Sequence, residues 1–290
     1  MPHGSLSPER RSAVTRFCRR GGKGANQAYA AARLGAQVEM IGRVGDDDFG
    51  KQMRANLEGV GCDTSGVSTS SNISSGIALI FVADGGQNSI VVVAGANECL
   101  VPEDIDASRQ RFNGTSALLL QLETPFATVH SAAAAGHAAR ARVILDPAPA
   151  PLHPLPDGLL ELVDVLTPNE SEAAILVGLR PGRMNFADAF VVGKNLQQLG
   201  PRAVVVKLGD QGCALRDGNE EHALPAPRVN AVDATAAGDV FNAALAVALS
   251  EGCDMISACR FANRAAAVSV TRRGAQPAAP SRAEVESFAH

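Results

Sequence analysis

Residues 163–178 read VDVLTPNESEAAILVG, and this stretch decides the fold class. VDVLTP is a short β-rich apolar run ended by proline, which reads as a strand, and NESEAAILVG reads as a helix. The same unit repeats on both sides. Upstream lie SALLLQL (116–122, strand), PFATVHSAAAAGHAAR (125–140, helix) and ARVILDP (141–147, strand); downstream lies RAVVVKLG (202–209, strand). Nearer the start, GANQAYAAARLG (24–35) is a helix closed by Gly35, AQVEMIGRVG (36–45) a strand, and DFGKQMRANLEGVG (48–61) a helix ending at Gly59 and Gly61. Residues 236–251 and 255–271 are consecutive Ala-rich helices. Strands that are apolar throughout and alternate with helices predict an α/β fold with a mainly parallel sheet covered on both faces. In such folds ligands collect at the carboxyl ends of the strands, where Asp146, Asn169 and Gly209 stand here. GIALIFVADGGQNSIVVVAG (76–95) breaks the pattern: two β-rich runs flank DGGQ, predicting a hairpin off the main sheet. With no internal sequence repeat or long linker, the expectation is one domain, 21–290, carrying that hairpin.

Composition narrows the partners. With 46% hydrophobic and 19% charged residues the chain can bury a sizeable core, and with no Trp and 4% aromatics that core must be Ala, Val and Leu. A net charge of -4 gives no support to nucleic-acid or membrane binding, which leaves small molecules. No apolar run approaches the ~20 residues of a membrane span. Six scattered cysteines without a C-x-x-C pair point to free thiols in a reducing compartment, and hence to a cytoplasmic location. The six histidines form no zinc pattern. Residues 1–20 stand apart, with five arginines against Glu9 and no apolar h-region. Two readings stay open for them: a disordered start, or an Arg-rich organellar targeting segment.

The chemistry concentrates in two places. In DATAAGDVFNAALAVAL (233–249) small residues run up to the start of a buried helix that carries a carboxylate, Asp239, in its first turn. A helix start offers unpaired N–H groups and the positive end of the dipole, which suits a phosphate. The small side chains of Ala236, Ala237 and Gly238 let a phosphoryl group approach the backbone, and Asp239 is placed to take a proton from an attacking hydroxyl. The alternative is that Asp239 is merely an N-cap or a first-turn acid. In GGKGANQA (21–28) the glycines bring backbone close to a polyol and Asn26 can donate and accept hydrogen bonds; it matches no Walker A loop, and a plain turn into a helix is the alternative.

Together, GGKGANQAYAAARLGA (21–36) and DATAAGDVFNAALAVAL resemble the two signatures of the carbohydrate kinase family whose type member is ribokinase. GQNSIVVVAGAN, LLLQLETP, LDPAPA, LTPNESEA, KLGDQG and RRGAQPAAP match it in family order across nearly all of 21–290. The resemblance implies a three-layer fold with a small β lid, and ATP-dependent phosphorylation of a primary hydroxyl of a pentose, D-ribose above the family's other sugars and nucleosides. It implies Asp239 as base, the N–H groups of Ala237 and Gly238 as anion hole, and Gly21, Gly22, Lys23, Asn26 and Glu123 as sugar ligands. Asn169 and Glu172 match the N-x-x-E motif that helps place magnesium and phosphate. Lys207, Leu208, Gly209, Asp210, Gln211 and Gly212 would lie along the nucleotide, with Asn263 near the adenine. A potassium ion beside the anion hole would take the Asp233 side chain and the carbonyls of Thr235, Ser269, Arg272 and Gly274. Ala278 stands at the last cation position, often Ser, and Ala234 where Thr is usual. A homodimer through the lid is also implied.

One departure matters. The family pattern begins with a strand ending in N-x-D, whose Asn and Asp bind sugar, and residues 1–20 hold neither that strand nor any Asp. The expectation is a central sheet short of one strand, a lid hairpin short of its pairing strands, and a sugar half weaker than the nucleotide half. The competing functional reading is therefore a truncated, catalytically impaired isoform or fragment of such a kinase that keeps nucleotide binding.

Overall fold

The protein's computed structural model describes residues 15–18, 22–82, 88–151 and 153–288. In chain order the elements are β1 (Thr15–Cys18), α1 (Lys23–Arg33), β2 (Glu39–Gly45), α2 (Asp48–Glu58), β3 (Asp63–Ser70), β4 (Ile77–Val82) and β5 (Asn88–Val93). Then come α3 (Pro102–Ala107), β6 (Ala117–Leu120), α4 (Phe126–Ala138), β7 (Arg142–Leu145), β8 (Val165–Leu166), α5 (Glu170–Leu176) and α6 (Phe186–Gln197). The last part holds β9 (Ala203–Lys207), β10 (Gly212–Asp217), β11 (Glu220–Pro225), α7 (Ala237–Ser250), α8 (Met255–Ser269) and α9 (Arg282–Ser287).

The main sheet has the order β11-β10-β9-β8-β7-β6. Strands β6 to β9 are parallel, and β10 and β11 close one side antiparallel. Alternate residues of each strand face opposite layers. Ile144, Val165 and Val205 pack with α1, α7 and α8 on one face; Val143, Leu145, Leu166, Val204 and Val206 pack with α5 and α6 on the other. Helix α7 is buried from Asp239 through Leu249, as an apolar helix between the sheet and its neighbours must be. This is the α/β three-layer arrangement read from the sequence, with a core of Ala, Val and Leu.

The hairpin β4–β5 stands off this sheet in a separate three-stranded sheet, β1-β4-β5. Here one expectation is corrected: Thr15–Cys18 is a strand, and it pairs antiparallel with β4 from Thr15↔Val82 to Cys18↔Leu79. Four residues carry no readable period, so backbone pairing with an available edge, not side-chain pattern, makes this strand. The rest of the basic segment, residues 1–14, 19 and 20, lies outside the described residues.

Among the described residues the expected break in the central sheet is present. Strands β2 and β3 pair in parallel as a sheet of their own, and β6 has a strand partner on one side among the described residues. Every residue of β6 is partly exposed, whereas Val143, Ile144 and Leu145 next door are 0% exposed.

Candidate active site

Four parallel strands and two helix N-termini deliver their ends to one place. Asp146 follows β7, Asn169 follows β8, Lys207 ends β9, Gln121 and Glu123 follow β6, and the first turns of α1 and α7 face them. Asn169 and Lys207 form an isolated parallel bridge, so the β8 and β9 ends are in register there.

Asp239 is the centre. It sits in the first turn of α7 and is 5% exposed. Its Oδ2 accepts from Asn26 Nδ2 at 2.9 Å and its Oδ1 from Gln27 Nε2 at 3.2 Å. Burial pushes its carboxyl up to about 6 against the pull of Lys23 and the two amides, with Asp146 adding to the rise. A carboxylate with that affinity for a proton suits a general base near neutral pH. The N-cap of α7 is Ala236, which makes no side-chain bond, so Asp239 is a first-turn acid and not the cap itself.

Ala236 holds φ +61°, ψ 14°, a left-handed conformation uncommon for a residue other than glycine. The turn that it makes gathers successive N–H groups into a concavity of the kind that binds anions. The donors differ from those expected. Ala237 N–H donates to the Ala234 carbonyl at 3.2 Å, while the Gly238 and Asp239 N–H groups find no acceptor among the described residues. The open pair is thus Gly238 and Asp239, one residue further on, because the left-handed Ala236 folds the Ala237 N–H back onto its own loop.

Around this centre the structure gathers Gly22, Lys23, Asn26 and Glu123. Glu123 Oε2 accepts from Lys23 N–H at 2.7 Å, and a Cβ on Gly22 would stand 3.1 Å from that oxygen, so a side chain there would press on Glu123. Burial works to lower the Lys23 ammonium, but Asp239, Asp146, Glu123 and Glu172 outweigh it and hold the group above its ordinary value. Asn26 Oδ1 is buried and without a partner. Gly21 lies outside the described residues.

Among the residues expected along a nucleotide, Lys207 Nζ donates to Asp146 Oδ1 at 2.9 Å. Leu208 is fully buried, and Gly209–Gln211 form a single 3-10 turn whose Asp210 pairs with Arg183. Gly212 starts β10 at φ +109°, packed so close to Leu224 and Pro225 that no Cβ fits. Asn169 and Glu172 meet at the start of α5: Asn169 is its N-cap and Glu172 its N3 residue, joined as a reciprocal capping box at 2.9 and 2.8 Å. Burial raises the Glu172 carboxyl, with Lys207 pulling it back. Asn263 is 5% exposed, and its Nδ2 donates to the Leu224 carbonyl at 2.9 Å, tying α8 to β11.

The expected cation residues meet at one loop junction. Asp233 Oδ1 accepts from Thr235 N–H and Oγ1, and Oδ2 from Gly274 N–H at 2.9 Å. Arg272 N–H donates to the Ser269 carbonyl, and Ala278 is buried in the short turn that follows Gly274. Two residues that the sequence reading did not single out join the site, Gln27 and Gln121. Both are amides where the surroundings are apolar, GANQAYAAA and ALLLQL, and an amide in such a run was the signal available.

A buried carboxylate in the first turn of a helix, N–H groups open to an anion, and the polar groups of Lys23, Asn26 and Glu123 beside them suit phosphoryl transfer to a polyol, the chemistry of a sugar kinase. The chain matches the family model described as pfkB family carbohydrate kinase over residues 6–282, and it belongs to that family. It is similar to ribokinase of Bacillus subtilis, 42% identical over 268 residues that cover 92% of this chain and 87% of the relative. It is similar also to deoxyribokinase of Salmonella typhi, 38% identical over 92% of this chain and 86% of the relative. Among solved structures it resembles Arabidopsis thaliana ribokinase complexed with ribose and ATP, with TM-score 0.86 and 36% identity over 93% of this chain and 88% of that one.

Proposed function

We propose that this chain transfers the γ-phosphoryl group of ATP to the primary hydroxyl of D-ribose, giving ribose 5-phosphate and ADP. The observation that carries this is Asp239, buried, raised to about 6, and beside two open N–H groups at the start of α7. The sugar hydroxyl oxygen bonds to the γ-phosphorus as the bond to the β–γ bridging oxygen breaks, ADP leaves with that electron pair, and the hydroxyl proton passes to Asp239. Gly238 and Asp239 N–H groups receive the charge that develops on the phosphoryl oxygens. Asn26 Oδ1, buried and unpartnered, accepts from a second sugar hydroxyl, with Gly22, Lys23 and Glu123 beside it and the Lys207–Gly212 loop along the nucleotide.

Magnesium fits as an ion carried in on ATP: among the described residues no group of three or more acidic, His or Cys side chains is arranged to hold a metal, and Mg²⁺ ordinarily keeps phosphate and water ligands. Glu172 would act on it indirectly, and bound there it would offset phosphate charge. Potassium fits the donor set of the Asp233 carboxylate and the carbonyls of Thr235, Ser269, Arg272, Gly274 and Ala278. Asp233 already joins two of these segments, and a cation there would stiffen the loop that shapes the anion hole. Val91, Val92 and Val93, 50%, 63% and 48% exposed on β5, support a homodimer contact through the lid. No described helix is long and apolar enough to cross a membrane.

Coupled ADP release with D-ribose, 2-deoxyribose, fructose and adenosine tests the assignment, and a preference for fructose or adenosine would overturn it. The break between β2 and β6 favours a second reading, nucleotide binding with weak sugar turnover. Calorimetry of ribose on this chain separates the two, since ordinary ribose affinity rules out the weak reading.

A further inference from the structure

Asp239 does not stand alone. Its Oδ1 accepts from Gln27 Nε2 at 3.2 Å, and the same amide donates to Asp146 Oδ2 at 3.1 Å. Asp146 Oδ1 in turn accepts from Lys207 Nζ at 2.9 Å. Gln27 and Asp146 are each 1% exposed, and Gln121 Nε2 fixes Gln27 from the third side by donating to its Oε1. A continuous chain of polar contacts thus joins an ammonium on β9 to the carboxylate on α7, through groups that water does not reach.

Stability does not account for this chain. Desolvation consumes most of what a buried ion pair gains, so such a pair is a poor device for holding a fold. Its position suggests another use. A Cβ built on Gly238 would lie 3.6 Å from Lys207 Nζ, so the ammonium borders the N–H groups that α7 leaves open. An ammonium carries three donors, and Asp146 is the one hydrogen-bond acceptor of Lys207 Nζ among the described residues. The site also needs the charge. Asp239, Asp146, Glu123 and Glu172 act on Lys23, with Lys207 as the second cation, so a triphosphate enters a region where carboxylates outnumber ammoniums by two.

We propose that Lys207 is a catalytic residue whose ammonium contacts the transferring γ-phosphoryl group beside Gly238, and that Asp146 and Gln27 are positioning residues that lock it in register with Asp239. Lys207 stabilises the oxygens of the group in transit while the sugar proton goes to Asp239. The proposal rests on the kinase reading for the location of the γ-phosphate, and it assigns to Lys207 a role in the transfer beyond nucleotide binding.

The test begins with binding, so that it does not depend on which sugar is turned over. By calorimetry with magnesium, Lys207→Met should lose about fivefold or more in affinity for AMP-PNP while ADP stays within about twofold, because the contact is to the γ group alone. Equal losses for the two nucleotides, or none for either, would overturn the role of Lys207. In turnover, Lys207→Met should lower kcat by about 10²–10³ at unchanged KM for sugar, the usual effect of one lost donor to a developing charge. A loss under about threefold would count against it. Gln27→Leu should move the acid limb of the kcat profile to higher pH, since Asp239, facing Lys23 and Asp146, loses a donor to its ionised form. An unmoved limb would remove Gln27 from the assignment. Should Lys207→Met fail to fold, Asp146→Asn reads the same AMP-PNP selectivity with the lysine intact. A wild-type chain that phosphorylates no sugar would sink the ribose reading, while the AMP-PNP and ADP comparison would still decide for or against Lys207.

Discussion

Replacing Asp239 by Asn should separate catalysis from stability in opposite directions. The side chain is 5% exposed, and its carboxyl has moved from an ordinary 3.8 to about 6. A displacement of that size means that the folded protein disfavours the charged form by about 3 kcal/mol at neutral pH. Because the folded value is the higher one, the native state binds more protons than the unfolded chain between roughly pH 4 and 6, so stability falls as pH rises through that window. Asn carries no charge to desolvate. It does present an NH₂ toward Asn26 or Gln27, which now donate to both carboxylate oxygens, and that mismatch costs about 1–3 kcal/mol. The net expectation is a variant as stable as wild type or more so by up to about 2 kcal/mol at pH 7.5, with the advantage vanishing by about pH 4. Over the same comparison kcat should fall by about 10²–10⁴, the usual contribution of a general base, with ATP affinity little changed. Denaturant unfolding at several pH values, ATP calorimetry and coupled ADP release read the three quantities. An Asn variant that is clearly less stable at pH 7.5 than at pH 4, relative to wild type, would refute the desolvation argument. One that keeps about a tenth of wild-type turnover would refute the base.

The other expectations follow from the same geometry. Gly238→Ala places a methyl group with its nearest neighbour, Lys207 Nζ, at 3.6 Å, so melting temperature should hold or rise slightly while kcat drops about 10²-fold as the methyl crowds the phosphoryl site; full activity would mean that phosphate does not approach here. Asn169→Ala removes the N-cap and its reciprocal bond with Glu172, and should cost about 1–2 kcal/mol in denaturant unfolding. An unchanged midpoint would show that the capping box is not what the residue is for. Lithium in place of potassium should lower turnover more than it weakens ATP binding, and Asp233→Ala should abolish that difference. Equal rates in the two salts would dismiss the cation and turn attention to Ala278.

The α/β layering was legible because it is written in local periods: VDVLT, ARVIL and RAVVV are apolar throughout, as strands buried on both faces must be, and the helices between them carry their own pattern. Small residues before Asp239, and the acid itself, were readable for the same reason, since a helix start and its dipole depend on neighbours in sequence. Contacts between distant segments were not. That Ala236 turns left-handed and moves the open N–H pair to Gly238 and Asp239 depends on how the 233–236 loop packs, and no propensity of alanine announces it. Thr15–Cys18 became a strand because β4 offered an edge. Asn263 bonds the Leu224 carbonyl because α8 packs against β11 there, a contact between segments 39 residues apart. Gln27 looked like one polar residue in an alanine helix; only the folded chain sets it between Asp146 and Asp239, which are 93 residues apart, and so joins the base to Lys207. Sequence carries what each residue does to its neighbours along the chain, and the energetics of a buried polar group depend on neighbours across it.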